Sequence, residues 1–492
     1  MFTRFRISVA ALALMTAPAF AAGDSLSLGM VLEPPNLDPT AGAAAAIDEV
    51  VYANVFEGLT RFGPDGSTQP ALATSWEASA DGKVYTFHLA TGVTFHDGTT
   101  FDAEDVKFSF DRAKAEGSTN AQKEIFEGIE AVEVVDPATV KITLKNPDGA
   151  FAYKMSWGDA VIVAPESAAN NATNPVGTGP FKFSEWVKGD HITLTAYDAY
   201  WGEKPALKTA TFRIIADPTA AFSAMMAGDV EAFPMFPAPE TMAQFQADPR
   251  FKVVIGVTEG ETILAMNQRH DKLADPKVRE AIAHAINRQE IIDGAMFGQG
   301  TPIGTHFSPA HPDYVDLTAQ SAYDPEKAKG LLKEAGVEGL KLRLALPPPP
   351  YARRGGEVIA AQLRAVGIET EITNLEWAQW LEQVYKGHDF DLTIISHTEP
   401  MDIDIYARGK DDYYFGYDSA DFKAIIDKLK VTVDAGERSQ LLKDAQTKIA
   451  DDYVNAYLFQ LPKTGVWDAK IEGLWENAPT QANDLTKVRW AE

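Results

Sequence analysis

Asn174-Pro175-Val176-Gly177-Thr178-Gly179-Pro180-Phe181 packs two glycines and two prolines into eight residues. Proline fixes φ and lacks an amide donor, and glycine reaches backbone conformations closed to other residues, so this stretch is neither helix nor central strand. It reads as the chain crossing between two lobes. On its N-terminal side, 25–32 reads as a strand ended by the rigid loop Glu33-Pro34-Pro35-Asn36-Leu37-Asp38-Pro39. A helix is expected over 46–56, with Glu57-Gly58 as its stop. Val84-Tyr85-Thr86-Phe87-His88-Leu89 alternates as a strand does, and more strands follow over 132–144. Between them, Thr100-Phe101-Asp102-Ala103-Glu104-Asp105 supplies a helix cap and an acidic first turn.

On the C-terminal side, 220–227 reads as a helix ending at Gly228-Asp229. The stretch 275–287 is amphipathic, with Val278, Ile282 and Ile286 on one stripe. Asp324-Pro325 opens another helix through Leu332, with Gly336 as its C-cap. The four-proline run 347–350 reads as a loop or polyproline segment, followed by a helix over 356–366 and a strand over 369–375. Strands and helices alternate throughout, which points to an α/β or α+β architecture. No internal repeat and no long low-complexity tract interrupts the pattern.

At the start of the chain, Arg4 and Arg6 precede an apolar run over 7–15, and Ala19-Phe20-Ala21 follows. A positive start, a short apolar centre and a small-residue end form the pattern of a cleaved secretory signal. The run falls short of the ~20 apolar residues that span a bilayer. The alternative, a buried N-terminal helix, leaves both arginines and the small-residue end unexplained. The mature chain is therefore expected to begin near Ala22, exported and soluble. The sequence contains no cysteine, so core burial alone must hold it, and it has no lipobox cysteine to tether it to a membrane. A freely diffusing periplasmic protein is the natural reading.

The 492 residues suggest two or three domains, and 45% hydrophobic with 23% charged residues is ordinary globular composition. Net charge is −26, and −28 once Arg4 and Arg6 are removed. Such a field repels nucleic acid and anionic lipid and favours a soluble monomer. Catalytic signatures are missing from the sequence: it has no G-x-S-x-G elbow, no H-E-x-x-H and no P-loop. The nine histidines are scattered, and His88, His96 and His284 sit in segments that read as structural. No cofactor and no metal cluster is expected.

Leu37-Asp38-Pro39 followed by Phe56-Glu57-Gly58-Leu59 resembles the start of the family 5 extracellular solute-binding proteins. So do Pro70-Ala71-Leu72-Ala73, Ser75-Trp76-Glu77, Phe95-His96-Asp97-Gly98 and the stretch Phe101-Asp102-Ala103-Glu104-Asp105-Val106-Lys107-Phe108-Ser109-Phe110. The stretch 174–181, Tyr200-Trp201-Gly202, Gly228-Asp229, Val278-Arg279-Glu280-Ala281-Ile282, Tyr323-Asp324-Pro325-Glu326 and Glu376-Trp377 continue the match in order. Each match is weak alone, but the ordered set is specific. The resemblance implies a receptor for dipeptides, oligopeptides, nickel or opines that serves the permease subunits of an ABC importer. It implies a two-lobe periplasmic-binding-protein fold with a hinge and an inserted domain. Carried onto this chain, domain I comprises 22–58, 184–266 and 464–492, behind a signal peptide over 1–21. Domain II is the insertion 59–183, and domain III is 267–463. The ligand would lie between domains I and III, with the insertion hardly touching it.

The resemblance also places candidate ligand residues. In peptide receptors of the family an aspartate four residues before the proline of a (D/E)-P pair holds the ligand ammonium. Here the pair is Glu399-Pro400, and the fourth residue back is Ser396. An R-P-Y triplet supplies the arginine for the ligand carboxylate; here Pro349-Pro350-Tyr351 stands in that place, with Arg353 and Arg354 just after. Both peptide anchors are thus absent from their usual places. Glu399, Asp402 and Tyr406 remain as groups suited to a cation or to hydroxyls, although Asp402 and Asp404 equally suit a helix cap or a solvated face. Trp377 reads as a stacking platform or as core, and Glu33 and Asn36 belong to a loop whose backbone is expected to line the pocket. A small-molecule solute, peptide or opine-like, is the expected partner. The competing readings are a periplasmic hydrolase of peptides or glycoconjugates, which needs a nucleophile–base pair, and a holding chaperone, which needs exposed apolar patches.

Overall fold

The computed structural model describes residues 23–42, 44–398 and 401–491. The signal segment over 1–21 and Glu399 lie outside the described residues, as does the side chain of Trp377. Two long strands, Phe251–Met266 and Ala456–Asp468, pair antiparallel from Phe251 opposite Asp468 to Leu264 opposite Ala456. One end of this ladder carries Leu392–His397, which pairs with residues 261–266, and beyond it Lys341–Leu346 and Glu369–Asn374 run parallel. The other end carries Ala232–Phe233, then Ser25–Met30, Thr209–Ile214, His191–Ala196 and Phe181–Val187. Two lobes therefore share one sheet of eleven strands among the described residues. The two long strands cross from lobe to lobe, and their register slips between Val257 and Glu261.

In the second lobe, successive residues of a strand enter different cores, as the period-2 pleat requires. Leu264 and Ile394 pack with Ile282, Ile291 and Ile359 on one face. Ile263 and Ile395 pack with Trp380, Tyr414, Ile426 and Ile449 on the other. Helices covering both faces of a largely parallel edge make this an α/β layer. A separate antiparallel sheet, Ala73–Ala78, Val84–Leu89, Thr139–Leu144 and Ile129–Asp136, has its own core of Phe87, Val140, Ile142 and Phe110. Phe110 lies on the helix Ala103–Lys114, whose Asp102 cap accepts from Glu104 N at 2.8 Å while Asp105 accepts from Asp102 N at 2.9 Å. This reciprocal box is the start signal legible in the sequence.

The Gly- and Pro-rich stretch 174–181 docks on the backbone of Asn54 and Val55. Gly179 N donates to Val55 O and Phe181 N to Asn54 O, both at 2.9 Å. A Cβ on Gly177 would stand 2.0 Å from Val55 O, and one on Gly179 2.4 Å from Asn54 O. The glycines are thus demanded by backbone approach. This docking also shortens the helix expected over 46–56: it ends at Val51, Tyr52 turns extended, and Ala53 takes a left-handed φ of 59°. The proline run departs from expectation too. Only 347–349 is loop; Pro350 is the first residue of the helix Pro350–Ala365, where a missing amide costs nothing. Tyr351, Arg353 and Arg354 are therefore helical.

The motif residues meet below the crossing. Glu57 Oε2 accepts from Thr178 Oγ1 and Trp201 Nε1, and Oε1 from Tyr200 OH, all at 2.9 Å. His96 closes the same junction. Its Nδ1 accepts from Gly177 N at 3.3 Å and its Nε2 meets Gly179 O at 2.9 Å, which fixes a neutral ring protonated at Nε2. Burial, opposed by the bond to Gly179, lowers His96 to about 4 from 6.5. Between those values the unfolded chain binds the proton and the folded chain does not, so stability falls on acidification from pH 6.5 toward 4. The expected loss from this group is about 2–3 kcal/mol. Thermal melts from pH 7 to 4 should show a smaller decline for His96→Gln than for the parent; parallel declines would refute the assignment.

Candidate functional site

A cavity of about 1000 Å³ opens between the four-stranded sheet unit and the second lobe. From the sheet unit come Glu124, Asp148, Phe151, Tyr153, Lys154 and Trp157. The facing wall is built by Trp380, Tyr385, Ser396, His397, Asp402, Asp404, Arg408, Tyr413, Lys430 and Arg438. The four-stranded sheet unit thus walls this cavity, whereas the family resemblance implies a ligand held between domains I and III. The two walls touch at one side, where Gly149 N donates to Lys430 O at 3.1 Å; within the facing wall, Arg438 Nη1 donates to Leu429 O and Thr432 O at 2.9 and 3.0 Å. Aromatic faces and charges of both signs line the space. Lys154 pairs with Asp148 at 2.7 Å, and the Arg408 guanidinium lies 5.0 Å from the Tyr413 ring centre.

Of the residues expected from the sequence, Ser396 and Asp402 line this cavity. Ser396 lies near the end of its strand beside Tyr351, whose hydroxyl accepts from Ser396 N at 3.1 Å, and its own Oγ has no hydrogen-bond partner among the described residues. Glu33 is turned to internal work, accepting from Trp186 Nε1 at 3.0 Å and Gly189 N at 2.9 Å. Asn36 accepts from Asp38 N at 2.8 Å within its own turn. Asp38 in turn holds Arg112 at 2.8 Å, fastening the loop to the helix Ala103–Lys114. Arg353 donates to Leu375 O and Glu376 at 3.3 and 3.1 Å, and Arg354 lies 5.1 Å from the Phe297 ring centre. Neither arginine borders the cavity, because the helix begins earlier than its sequence suggested and aims both toward neighbouring elements.

Asp402 is the first residue of the short 3-10 helix Asp402–Ala407, but it does not cap it: Met401 holds the N-cap position, no side chain caps the helix, and the Asp402 carboxylate turns to two histidines instead. His306 Nε2 lies 2.8 Å from Oδ1 and His397 Nδ1 3.5 Å from Oδ2. Burial alone would raise this carboxyl; the positive field and hydrogen bonds of the two imidazoles outweigh it and hold Asp402 well below the usual carboxylate range. Tyr406 stands behind, with its hydroxyl 3.1 Å from His306 Nδ1 and accepting from Asn455 Nδ2 at 3.1 Å. Across the strand, burial and the Asp402 charge push Glu259 up to about 7. Neither His306 nor His397 stands out in the sequence. They are ninety-one residues apart with no shared motif; strand pairing at His397 and the buried turn that carries His306 bring their rings to 5.1 Å between centres.

No helix among the described residues is long and apolar enough to cross a membrane. The family described as bacterial extracellular solute-binding proteins, family 5 Middle, matches residues 67–409. Over 433 residues the chain is 32% identical to the dipeptide-binding protein of Escherichia coli (strain K12), covering 78% of this chain and 80% of that one. It is 31% identical over 369 residues to the nickel-binding periplasmic protein of the same organism, covering 73% and 68%. A solved structure, the PBP AgaA in complex with agropinic acid (A.tumefacien R10), superposes with a TM-score of 0.78 at 26% identity, covering 95% of this chain and 99% of that one. A two-lobe binding-protein fold and an ordered run of motifs agree with these likenesses, and the chain belongs to the bacterial extracellular solute-binding proteins, family 5.

Proposed function

We propose that this chain is a periplasmic receptor, exported behind the leader over 1–21, that delivers a peptide or amino-acid-derived, opine-like solute to the permease of an ABC importer, and that it performs no chemistry on that solute. One observation carries the reading: the cavity presents carboxylates (Asp148, Asp402, Asp404), cations (Lys154, Arg408, Lys430) and aromatic faces together. A zwitterionic solute of modest size needs that combination, and lobes that close on a hinge replace its water with fixed charges. The division into domain I (22–58, 184–266, 464–492), domain II (59–183) and domain III (267–463) belongs to the same proposal. The separate core under the four-stranded sheet supports it. The named relatives are binding proteins, which favours a receptor over a hydrolase.

Native mass spectrometry of the purified chain is expected to show one small solute bound 1:1. Calorimetry should then favour opine-like zwitterions over ordinary dipeptides, since Ser396 stands where peptide receptors of the family place an aspartate. Arg408→Ala should weaken a carboxylate-bearing solute by about tenfold, or ~1.4 kcal/mol. Steady hydrolysis of the panel, or dipeptide binding indifferent to Arg408→Ala, would overturn the reading.

A further inference from the structure

His306, His397 and Asp402 come from three separate segments: the buried turn 303–308, the end of the strand Leu392–His397 and the start of the 3-10 helix. One ligand atom from each falls within a sphere in which all lie within 4.8 Å of one another. A tetrahedral ion with bonds of ~2.1 Å sets its ligand atoms ~3.4 Å apart, so the 2.8 and 3.5 Å separations already present need only small ring rotations. We propose that these three side chains form a binding site for a divalent first-row transition-metal ion, set into the cavity wall.

Three features beyond proximity support it. Two imidazoles and a carboxylate are the donor set that suits such ions. Each imidazole offers one nitrogen to the shared centre, and its other nitrogen is held by a buried tyrosine hydroxyl. Tyr406 OH stands 3.1 Å from His306 Nδ1, and Tyr414 OH stands 3.0 Å from His397 Nε2. Such outer partners fix ring orientation around bound metals. Finally, His306 is 1% exposed, while His397 and Asp402 border the cavity. The protein ligands therefore close one side and leave the cavity side open to water or to a donor group of a solute. Binding displaces the proton that His306 Nε2 shares with Asp402 in the metal-free site.

The test uses metal alone, so its failure would leave the receptor reading standing. Chelator-stripped chain lacking any affinity tag is titrated with Zn2+ by calorimetry and with Co2+ by visible absorption. One equivalent should bind, and the ligand-field bands of Co2+ should be those of a four- or five-coordinate ion with nitrogen and oxygen donors. Asp402→Asn and His397→Gln should each weaken binding by at least a hundredfold. Tyr414→Phe keeps all three donors, and it should weaken binding by about tenfold. His191→Gln, at a half-buried histidine that does not line the cavity, should change nothing. Circular dichroism confirms that each variant folds. Binding that survives Asp402→Asn and His397→Gln together, or no saturable first equivalent in the parent, would overturn the site.

Discussion

Glu57→Ala is expected to lower the stability of the folded chain by about 3–5 kcal/mol, a large loss for a single polar side chain. Glu57 is buried, and its carboxylate is the common acceptor for Thr178, Tyr200 and Trp201. Burial raises its pKa, and the three donated bonds oppose that rise. Truncation leaves three donors without an acceptor in a space that water does not reach, and each such group costs about 1–3 kcal/mol. Glu57→Gln should cost less than half as much. Its carbonyl still serves the Thr178 and Trp201 side, and the Tyr200 hydroxyl can turn to accept from the new amide. Urea titration of parent, Ala and Gln forms checks the order. Equal losses for both variants would mean that shape, not hydrogen bonding, sets the role of this residue.

Gly149→Ala is expected to shift the molecule toward an open form without weakening either lobe. A Cβ at this position would stand 2.0 Å from Thr432 O, a backbone atom of the opposite wall. Within its own lobe the residue sits in an ordinary turn outside the left-handed region, so alanine is tolerated there. The clash is relieved only by withdrawing the 147–150 loop from the 430–438 segment, which also breaks the Gly149–Lys430 hydrogen bond. Overpacking of this kind costs about 1–3 kcal/mol, equivalent to about 5–150-fold in the ratio of closed to open forms. Small-angle scattering should report a larger radius of gyration for the variant, and amide exchange should quicken over 428–438. Superimposable scattering profiles would show that this contact does not hold the walls together.

Much of the fold was legible because its signals are local. The Asp102 cap and the alternation of 84–89 each act within a few residues, and each has its expected structure. Elsewhere, distant contacts overrule local pattern. The helix over 46–56 stops at Val51 because residues 54 and 55 give their carbonyls to a segment more than a hundred residues away. The site was less legible for the same reason. Chain position points to Arg353 and Arg354, but helix phase directs them to Glu376 and Phe297. His306 and His397 carry no spacing signal, and only strand pairing and a buried turn unite them with Asp402. The motifs Glu57-Gly58, Thr178-Gly179 and Tyr200-Trp201 look like separate fragments of a pattern in the sequence; in space they are one hydrogen-bonded junction.

The shared ladder of Phe251–Met266 and Ala456–Asp468 has a bearing on the order in which the chain assembles. Phe251 lies opposite Asp468, and Ser25 O accepts from Trp490 Nε1 at 2.9 Å, so the segment from Ala456 onward stitches both lobes. A chain lengthening or threading from its N-terminus has most of its apolar surface in hand but lacks the strand that joins the two halves of the sheet. Pairings this distant in sequence are slow to form, since the loop entropy is spent before any contact repays it. The sheet that joins the two lobes is therefore complete only once the strand Ala456–Asp468 is in place, which makes its arrival the closing step of assembly.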